Sequence, residues 1–179
     1  MIKLSKKKKI FLIVDLIVLV LLVVLDRVAK ILAINHLKEQ PAISLIRGVL
    51  ELNYLENHGA AFGMLQDQKV FLVLIAVLIL FIIGYVIIML PDDNRYNIMH
   101  ILLAMLAAGA IGNMIDRLLA SYVVDFISFV IIHFPIFNVA DIYVTLSTFI
   151  LVILFLFFYR EQDFAFLSFR QQKKFREMK

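Results

Sequence analysis

Two aspartates, Asp125 and Asp141, lie in apolar stretches of the sequence with no basic residue close to either. Two carboxyl groups that are brought together cannot both ionise easily, so one of them keeps a proton. The ionised group then acts as a general base on a water molecule, and the protonated group acts as an acid toward a carbonyl oxygen. This is the chemistry of an aspartic peptidase. The sequence leaves open whether the two side chains meet or are separate residues at a membrane interface.

A second set of polar residues lies inside apolar segments, where ionisable groups are rare and usually functional. Asp26 and Lys30 are four residues apart, so they share one face of a helix and are able to pair. Asn113 is followed after three and four residues by Asp116 and Arg117, and the three form one polar stripe. Alternatively, Asp26–Lys30 and Asp116–Arg117 are structural ion pairs that neutralise each other.

The elements that carry these residues are predicted to lie in a membrane. Hydrophobic residues make up 63% of the 179-residue chain, against about 45–50% in soluble domains. A transmembrane helix needs about 20 mostly apolar residues. Four segments qualify: 10–34, 70–90, 98–119 and 142–159. The first is longer than a secretory signal and contains Asp26, Arg27 and Lys30, so we interpret it as a retained helix.

Lysines and arginines predict the orientation, because they concentrate on the cytoplasmic side of membrane proteins. The N-terminal tail carries five and the C-terminal tail six, and the 91–97 loop adds Arg95. The opposite side carries only Lys38, Arg47 and Lys69. Both termini are therefore predicted to be cytoplasmic.

The segments 35–69 and 120–141 then lie outside the cell membrane. Residues 50–54 alternate between apolar and polar side chains, which predicts a short strand with one apolar face. The predicted fold class is an all-α membrane protein, in which four transmembrane helices are joined by a small extracytoplasmic β-sheet and loop subdomain within 35–69.

Three polar residues are predicted to share one depth in this bundle. With a rise of 1.5 Å per residue, Asp26, Asn113 and Asp141 lie about 26, 24 and 28 Å from the cytoplasmic ends of their helices. The hydrocarbon core is about 30 Å thick. All three are therefore expected near the extracytoplasmic surface, where they would form one site.

Small residues on the third predicted span indicate close helix packing. Ala104, Ala108 and Gly112 recur every four residues, the small-xxx-small pattern of membrane helix contacts. Gly109 lies beside this stripe and would also let a substrate backbone approach. Asp15 lies deep in the first span, and we expect its side chain to extend toward the basic cytoplasmic boundary, although a functional role stays open.

Other chemistries fit the sequence less well. The chain has no cysteine, which removes disulfides, thiolate metal sites and a thiol nucleophile. Its four histidines lack paired-ligand spacing, so no metal site is predicted. A serine–lysine pair remains an alternative, with Lys30 as base and Ser121 or Ser128 as nucleophile, but Asp26 one turn away would keep Lys30 charged. No glycine-rich phosphate loop is present, and the basic tails are interpreted as topology signals rather than nucleic-acid sites.

Five short motifs occur in a specific order: DRVAK at 26–30, ENHGAAFGM at 56–64, GAIGNMIDR at 109–117, VVDFI at 123–127 and FNVAD at 137–141. With these motifs the chain resembles the lipoprotein signal peptidases (signal peptidase II), the membrane aspartic peptidases of bacteria. The resemblance extends from the first span to the fourth. It implies one membrane-embedded peptidase domain over residues 1–179.

The resemblance also implies a substrate and a set of site residues. Such enzymes remove the signal peptide from prolipoproteins, cutting before a cysteine that carries a diacylglyceryl group. Asp125 and Asp141 would be the catalytic pair. The residues expected to bind substrate are Asn57, Gly109, Asn113, Arg117 and Asn138, and those expected to support the site are Asp26, Lys30 and Asp116. No cofactor is implied, membrane lipids are expected as partners, the antibiotic globomycin is expected to inhibit, and the chain is expected to act as a monomer in the bacterial cytoplasmic membrane with its site on the extracytoplasmic face.

One residue departs from the family pattern, because Arg27 stands where many relatives carry a neutral polar residue. It adds a positive charge near the site, and its role stays open at this point. A small ion- or proton-coupled carrier is the alternative function, since carriers also bury charged residues within their spans. Carriers usually place the binding site near the membrane midplane between repeated halves. Here the polar groups lie toward one surface and no repeat is visible, which favours the peptidase.

Overall fold

The computed structural model describes residues 5–60 and 64–167. Four long helices occur in this part of the chain: α1 Lys6–Leu37, α2 Lys69–Met89, α3 Asn97–Ala120 and α4 Val139–Phe157. Three strands form one antiparallel sheet in the order β1-β2-β3: β1 Ile43–Ile46, β2 Leu50–Asn57 and β3 Val123–Phe129. Each segment predicted from hydrophobicity coincides with one helix, with boundaries that differ by a few residues.

Three helices among the described residues are long and apolar enough to cross a membrane: α2, the stretch Asn94–Ala120 that contains α3, and α4. The remaining helix, α1, is 32 residues long, but it carries four ionisable residues within its apolar stretch. Each of those four side chains contacts another helix, as described below. The helix α1 is therefore set apart from the other three by its charged residues, and it is not too short to cross a membrane.

The helix α3 lies at the centre of the bundle and contacts α1, α2 and α4. Half of its most apolar stretch is buried inside the protein, against 6% for α2. Ala104 and Ala108 are buried at these contacts. A Cβ atom on Gly112 would lie 2.5 Å from Asp26 Oδ2 of α1. The predicted packing role of the small-residue stripe is confirmed.

The sheet covers the C-terminal end of α1. The predicted strand is confirmed as part of β2, which forms a hairpin with β1. The third strand was not predicted, because Val123 to Phe126 are all buried and show no two-residue alternation. Val124 and Phe126 pack with Ala33 and Leu37 of α1. This contact holds the whole sheet against the helical bundle.

At the opposite end of the bundle, Asp15 corrects one expectation. Its side chain is buried inside the bundle, whereas the sequence analysis expected it to extend along the helix toward the basic N-terminal tail. Asp15 Oδ2 lies 2.6 Å from His100 Nδ1 of α3, and the imidazole ring also stacks on Phe11. Burying a carboxylate is costly without a hydrogen-bonding partner, and α3 provides one. In the first turn of α1, the Lys8 ammonium group donates to the Ile87 and Leu90 carbonyls at the end of α2.

Candidate active site

Asp125 is held on β3 by two amide groups. Only 1% of the residue is exposed. Its Oδ1 accepts a hydrogen bond of 2.6 Å from Asn138 Nδ2, and its Oδ2 accepts one of 2.8 Å from Asn57 Nδ2. Burial and the nearby charge of Asp141 raise the pKa of Asp125 to about 6, against the opposing effect of the two amide donors. A proton therefore remains on this carboxyl to an unusually high pH.

Asp141 is positioned by the start of α4. Asn138 is the N-cap, and its Oδ1 accepts from the Asp141 backbone N–H at 3.0 Å. In return, Asp141 Oδ2 accepts from the Asn138 backbone N–H at 3.1 Å, which completes a capping box. The other oxygen, Oδ1, accepts a bond of 2.7 Å from Asn113 Nδ2. Both carboxylate oxygens are thereby fixed in direction.

Asn138 connects the two aspartates. Its side-chain amide donates to Asp125 Oδ1 and, at 3.2 Å, to Asn113 Oδ1, while its carbonyl oxygen caps the turn that carries Asp141. Asn138 is fully buried. The structure thus places the two carboxyl groups, which the sequence alone left as either a pair or separate residues, on either side of one shared asparagine.

Behind the aspartates lies a buried ionic cluster on α1 and α3. Lys30 Nζ lies 3.0 Å from Asp26 Oδ2, 2.9 Å from Asp116 Oδ2 and 2.9 Å from Asn113 Oδ1. Asp26 also accepts from the Ala140 backbone N–H at 3.0 Å, so the cluster connects α1, α3 and α4 at one depth. The shared depth predicted for these helices and the Asp26–Lys30 pair are both confirmed.

The proposed Asp116–Arg117 pair is wrong. Asp116 contacts Lys30 and Arg27 of α1 and accepts from the Val124 backbone N–H at 3.3 Å. Arg117 points the other way, and its Nη2 donates to the Gly59 carbonyl at 2.9 Å. Neighbouring residues on a helix point about 100° apart, so adjacent opposite charges seldom face each other.

The serine–lysine alternative has no geometric support in the described residues. Lys30 is fully buried, and its ammonium group contacts two carboxylates and an amide oxygen. Ser121 accepts from Lys69 Nζ at 3.0 Å on the exposed side of the protein. The described contacts of Lys30 are with Asp26, Asp116 and Asn113, and neither Ser121 nor Ser128 is among them.

A cavity of about 900 Å³ opens in front of the two aspartates. Its polar wall contains Asn57, Asn113, Arg117, Asp125 and Asp141. Its apolar wall contains Leu55, Phe129, Ile132, Phe134, Ile136 and Phe137. The apolar wall was missed by the sequence analysis, which treated 120–141 only as a connection. The high density of aromatic and β-branched residues between 129 and 137 was the available signal.

Two predicted substrate-binding residues lie behind the cavity surface. Asn138 is buried and acts on both aspartates, as described above. A Cβ atom on Gly109 would lie 2.5 Å from the Ala140 carbonyl oxygen and 2.7 Å from Val144 Cγ2. The absence of a side chain at Gly109 therefore allows α3 and α4 to approach closely.

The loop after β2 crosses one side of the cavity. Asn57 Oδ1 accepts from the Gly59 backbone N–H at 2.9 Å, and Arg117 binds the Gly59 carbonyl. Residues 61–63 of the ENHGAAFGM motif lie outside the described residues. The arrangement as a whole offers an acid, a second carboxyl, several amide groups that are able to bind a peptide backbone, and an apolar surface for a lipid or apolar peptide.

Comparison with known proteins identifies relatives over most of the chain. The model of the family described as Signal peptidase (SPase) II matches residues 17–157. A Lipoprotein signal peptidase from Clostridium tetani (strain Massachusetts / E88) is 43% identical over 143 residues, covering 78% of this chain and 90% of the relative. A protein of the same name from Streptococcus pyogenes serotype M5 (strain Manfredo) is 41% identical over 148 residues, covering 82% of this chain and 93% of the relative.

Two solved structures, each described as a bacterial membrane enzyme structure obtained by the in meso method, share the fold. The first, at 2.3 Å resolution, has a TM-score of 0.72 and 33% identity, and covers 80% of this chain and 87% of that one. The second, at 1.9 Å resolution, has a TM-score of 0.70 and 33% identity, and covers 82% of this chain and 94% of that one. With the long apolar helices, these likenesses indicate a multi-pass bacterial membrane protein. The chain belongs to the signal peptidase II family.

Proposed function

We propose that this protein is an aspartic endopeptidase that removes the signal peptide from prolipoproteins, cutting on the amino-terminal side of a diacylglyceryl-modified cysteine. The observation that carries the proposal is the pair Asp125 and Asp141, connected through Asn138 at the mouth of a cavity with one polar and one apolar wall. The relatives named Lipoprotein signal peptidase support the same substrate class.

The two carboxyl groups take different roles in this proposal. Asp125, whose pKa is raised to about 6, carries the shared proton and donates it toward the scissile carbonyl oxygen. Asp141 accepts a proton from the attacking water, whose oxygen bonds to the carbonyl carbon. When the tetrahedral intermediate collapses, the carbon–nitrogen bond breaks, the proton held by Asp141 passes to the amine of the leaving cysteine, and one hydroxyl of the intermediate returns its proton to Asp125 as the carbonyl re-forms.

In this proposal the two walls of the cavity bind different parts of the substrate. Arg117 and Asn57 bind backbone groups of the peptide, and the bond from Arg117 to the Gly59 carbonyl is the kind of contact expected with a substrate carbonyl. The apolar wall receives the acyl chains and the apolar signal segment. Globomycin is expected to occupy the same cavity and inhibit. One chain supplies every residue of the site, which fits action as a monomer.

The same proposal includes four membrane crossings, with α1 as the fourth. A helix of 32 residues extends about 48 Å, longer than the hydrocarbon core. Its charged residues Asp15, Asp26, Arg27 and Lys30 contact partners on α3, which lowers the cost of placing them in lipid. The basic tails place both termini in the cytoplasm, and the site then lies at the extracytoplasmic face.

The proposal is tested with purified protein in detergent and a prolipoprotein that carries diacylglyceryl on its cysteine. We expect cleavage that persists in EDTA and yields a product beginning at the modified cysteine, identified by mass spectrometry. The matched control is the same precursor with that cysteine replaced by serine, which takes no lipid and should not be cut. Equal cleavage of the two precursors would contradict the substrate assignment, and no cleavage of either would contradict the function.

A further inference from the structure

Arg27 is the one charged residue of the buried ionic cluster whose side chain also reaches solvent. It follows Asp26 on α1 and contacts Asp116 Oδ1 of α3, with 28% of its side chain exposed. It does not belong to the cavity wall. Its position therefore points to an effect on the cluster rather than to direct contact with a substrate.

The charges of the cluster balance only when Arg27 is included. Asp26 and Asp116 each bring a negative charge, and Lys30 brings one positive charge between them. The side chains of Lys30 and Asp26 are 0% exposed and that of Asp116 is 4% exposed. A net charge in this buried, low-dielectric region would cost free energy, and it would act on other ionisable groups over a longer distance than in water. Arg27 supplies the fourth charge and makes the sum zero.

The cluster contacts one neighbour of each aspartate, the side chain of Asn113 beside Asp141 and the backbone of Val124 beside Asp125. Lys30 Nζ donates to Asn113 Oδ1, and Asn113 Nδ2 donates to Asp141 Oδ1. Asp116 accepts from the backbone N–H of Val124, the residue before Asp125. An unbalanced charge in the cluster would therefore lie one residue behind each carboxyl, within the same low-dielectric region.

We propose that Arg27 is a positioning residue that sets the pH range of the aspartate pair by neutralising the Asp26–Lys30–Asp116 cluster. The proposal rests on the proposed peptidase function. The other charged or titratable groups near the pair or the cluster lie outside this four-charge sum and are the same in every variant below: Arg117 on α3, Glu56 on β2, His58 after it and Tyr143 on α4. None of them contacts Asp116 in the way that Arg27 does.

The first test is the pH–rate profile of cleavage for R27Q and R27K. One uncompensated negative charge behind the pair makes both carboxyl groups hold their protons to higher pH. We therefore expect the whole profile of R27Q to move to higher pH by about half a unit, the effect of a single partly screened charge. R27K keeps the charge and should retain the wild-type profile. K69Q, which removes an exposed cation that binds only Ser121, is the matched control and should not shift the profile.

The second test uses Asp116 to separate charge from the arginine itself. D116N leaves one uncompensated positive charge, so its profile should move to lower pH. The double variant R27Q/D116N again has no net charge, and its profile should return to the wild-type position. If R27Q does not fold, the proposal is still tested by whether the profile of the double variant lies at higher pH than that of D116N.

Three results would overturn the proposal: R27Q and wild type with superimposable profiles, shifts of D116N and R27Q in the same direction, or a double variant that remains shifted. A rise in KM for R27Q without a shift would assign Arg27 to lipid binding instead. The pH dependence of the melting temperature of the same variants needs no turnover. If the wild type cleaves nothing, that measurement still tests the charge balance, so the failure of the proposed function is distinguished from the failure of this inference.

Discussion

At the scale of single residues, the site depends on amide groups that hold carboxylates without neutralising them. Asn57 and Asn138 each donate to Asp125, and Asn113 donates to Asp141. An arginine or lysine in direct contact with the pair would keep both carboxyl groups ionised. Amides fix the geometry and leave a proton available, while Lys30 of the neighbouring cluster contacts Asn113 rather than Asp125 or Asp141.

The stability of the folded protein should depend on pH through Asp125. Its pKa is about 6 in the folded protein and 3.8 ordinarily. Between pH 4 and 6 the folded state binds more protons than the unfolded state, so stability falls as pH rises through this window and is constant above it. The loss is about 2 to 3 kcal/mol. Melting temperatures in detergent across this range should fall more steeply for the wild type than for Asp125→Asn.

This comparison tests the Asp125 carboxyl together with its interaction with Asp141, because the two proteins differ only at that one side chain. Parallel melting curves for the wild type and Asp125→Asn would show that the carboxyl is not held in its protonated form by the fold.

At the scale of elements, the contact between α3 and α4 positions the pair. The first turn of α4 carries both Asn138 and Asp141, and its backbone lies directly against Gly109 of α3. Gly84 of α2 is a useful comparison, because it also lies in a long apolar helix. A Cβ atom added at Gly84 would have no neighbouring atom within 4 Å. The two glycines are therefore matched in type and opposite in surroundings.

Gly109→Ala should destabilise the protein by about 1 to 3 kcal/mol, because the new methyl group forces α4 away from α3. Cleavage should fall with it, since Asp141 moves with α4. Gly84→Ala should be neutral or slightly stabilising, as alanine is the better helix former. The measurements are the melting temperature and the cleavage rate of each variant, and equal effects of the two substitutions would contradict the packing role of Gly109.

Much of this arrangement is visible in the sequence, because it depends on local spacing. The four helices follow from hydrophobic length, the Asp26–Lys30 pair from its four-residue spacing, and the common depth of the polar residues from the helical rise. The strand β3, the partner of Asp15 and the partner of Asp116 were not predictable in this way. Each depends on which surfaces of distant segments meet, and residue spacing within one segment carries no such information.

At the scale of the whole molecule, polar contacts concentrate at the two ends of the bundle. At the end that carries the N-terminus of α1, Lys8 binds the last carbonyls of α2 and Asp15 pairs with His100. At the other end, the ionic cluster, the aspartates and the sheet enclose the cavity. The middle of the bundle is held by apolar packing around α3. This distribution places the candidate site at one end of the bundle, as the proposed cleavage next to a lipid-modified cysteine requires.

The most direct test of the aspartate pair is the single-turnover cleavage rate of Asp125→Asn and Asp141→Asn, each measured on purified, folded protein with the diacylglyceryl-modified precursor. We predict that each variant loses at least about a thousandfold in rate, while Ser121→Ala and Ser128→Ala remain within a few-fold of the wild type. Wild-type turnover by either asparagine variant, or loss of cleavage in a serine variant, would contradict the account.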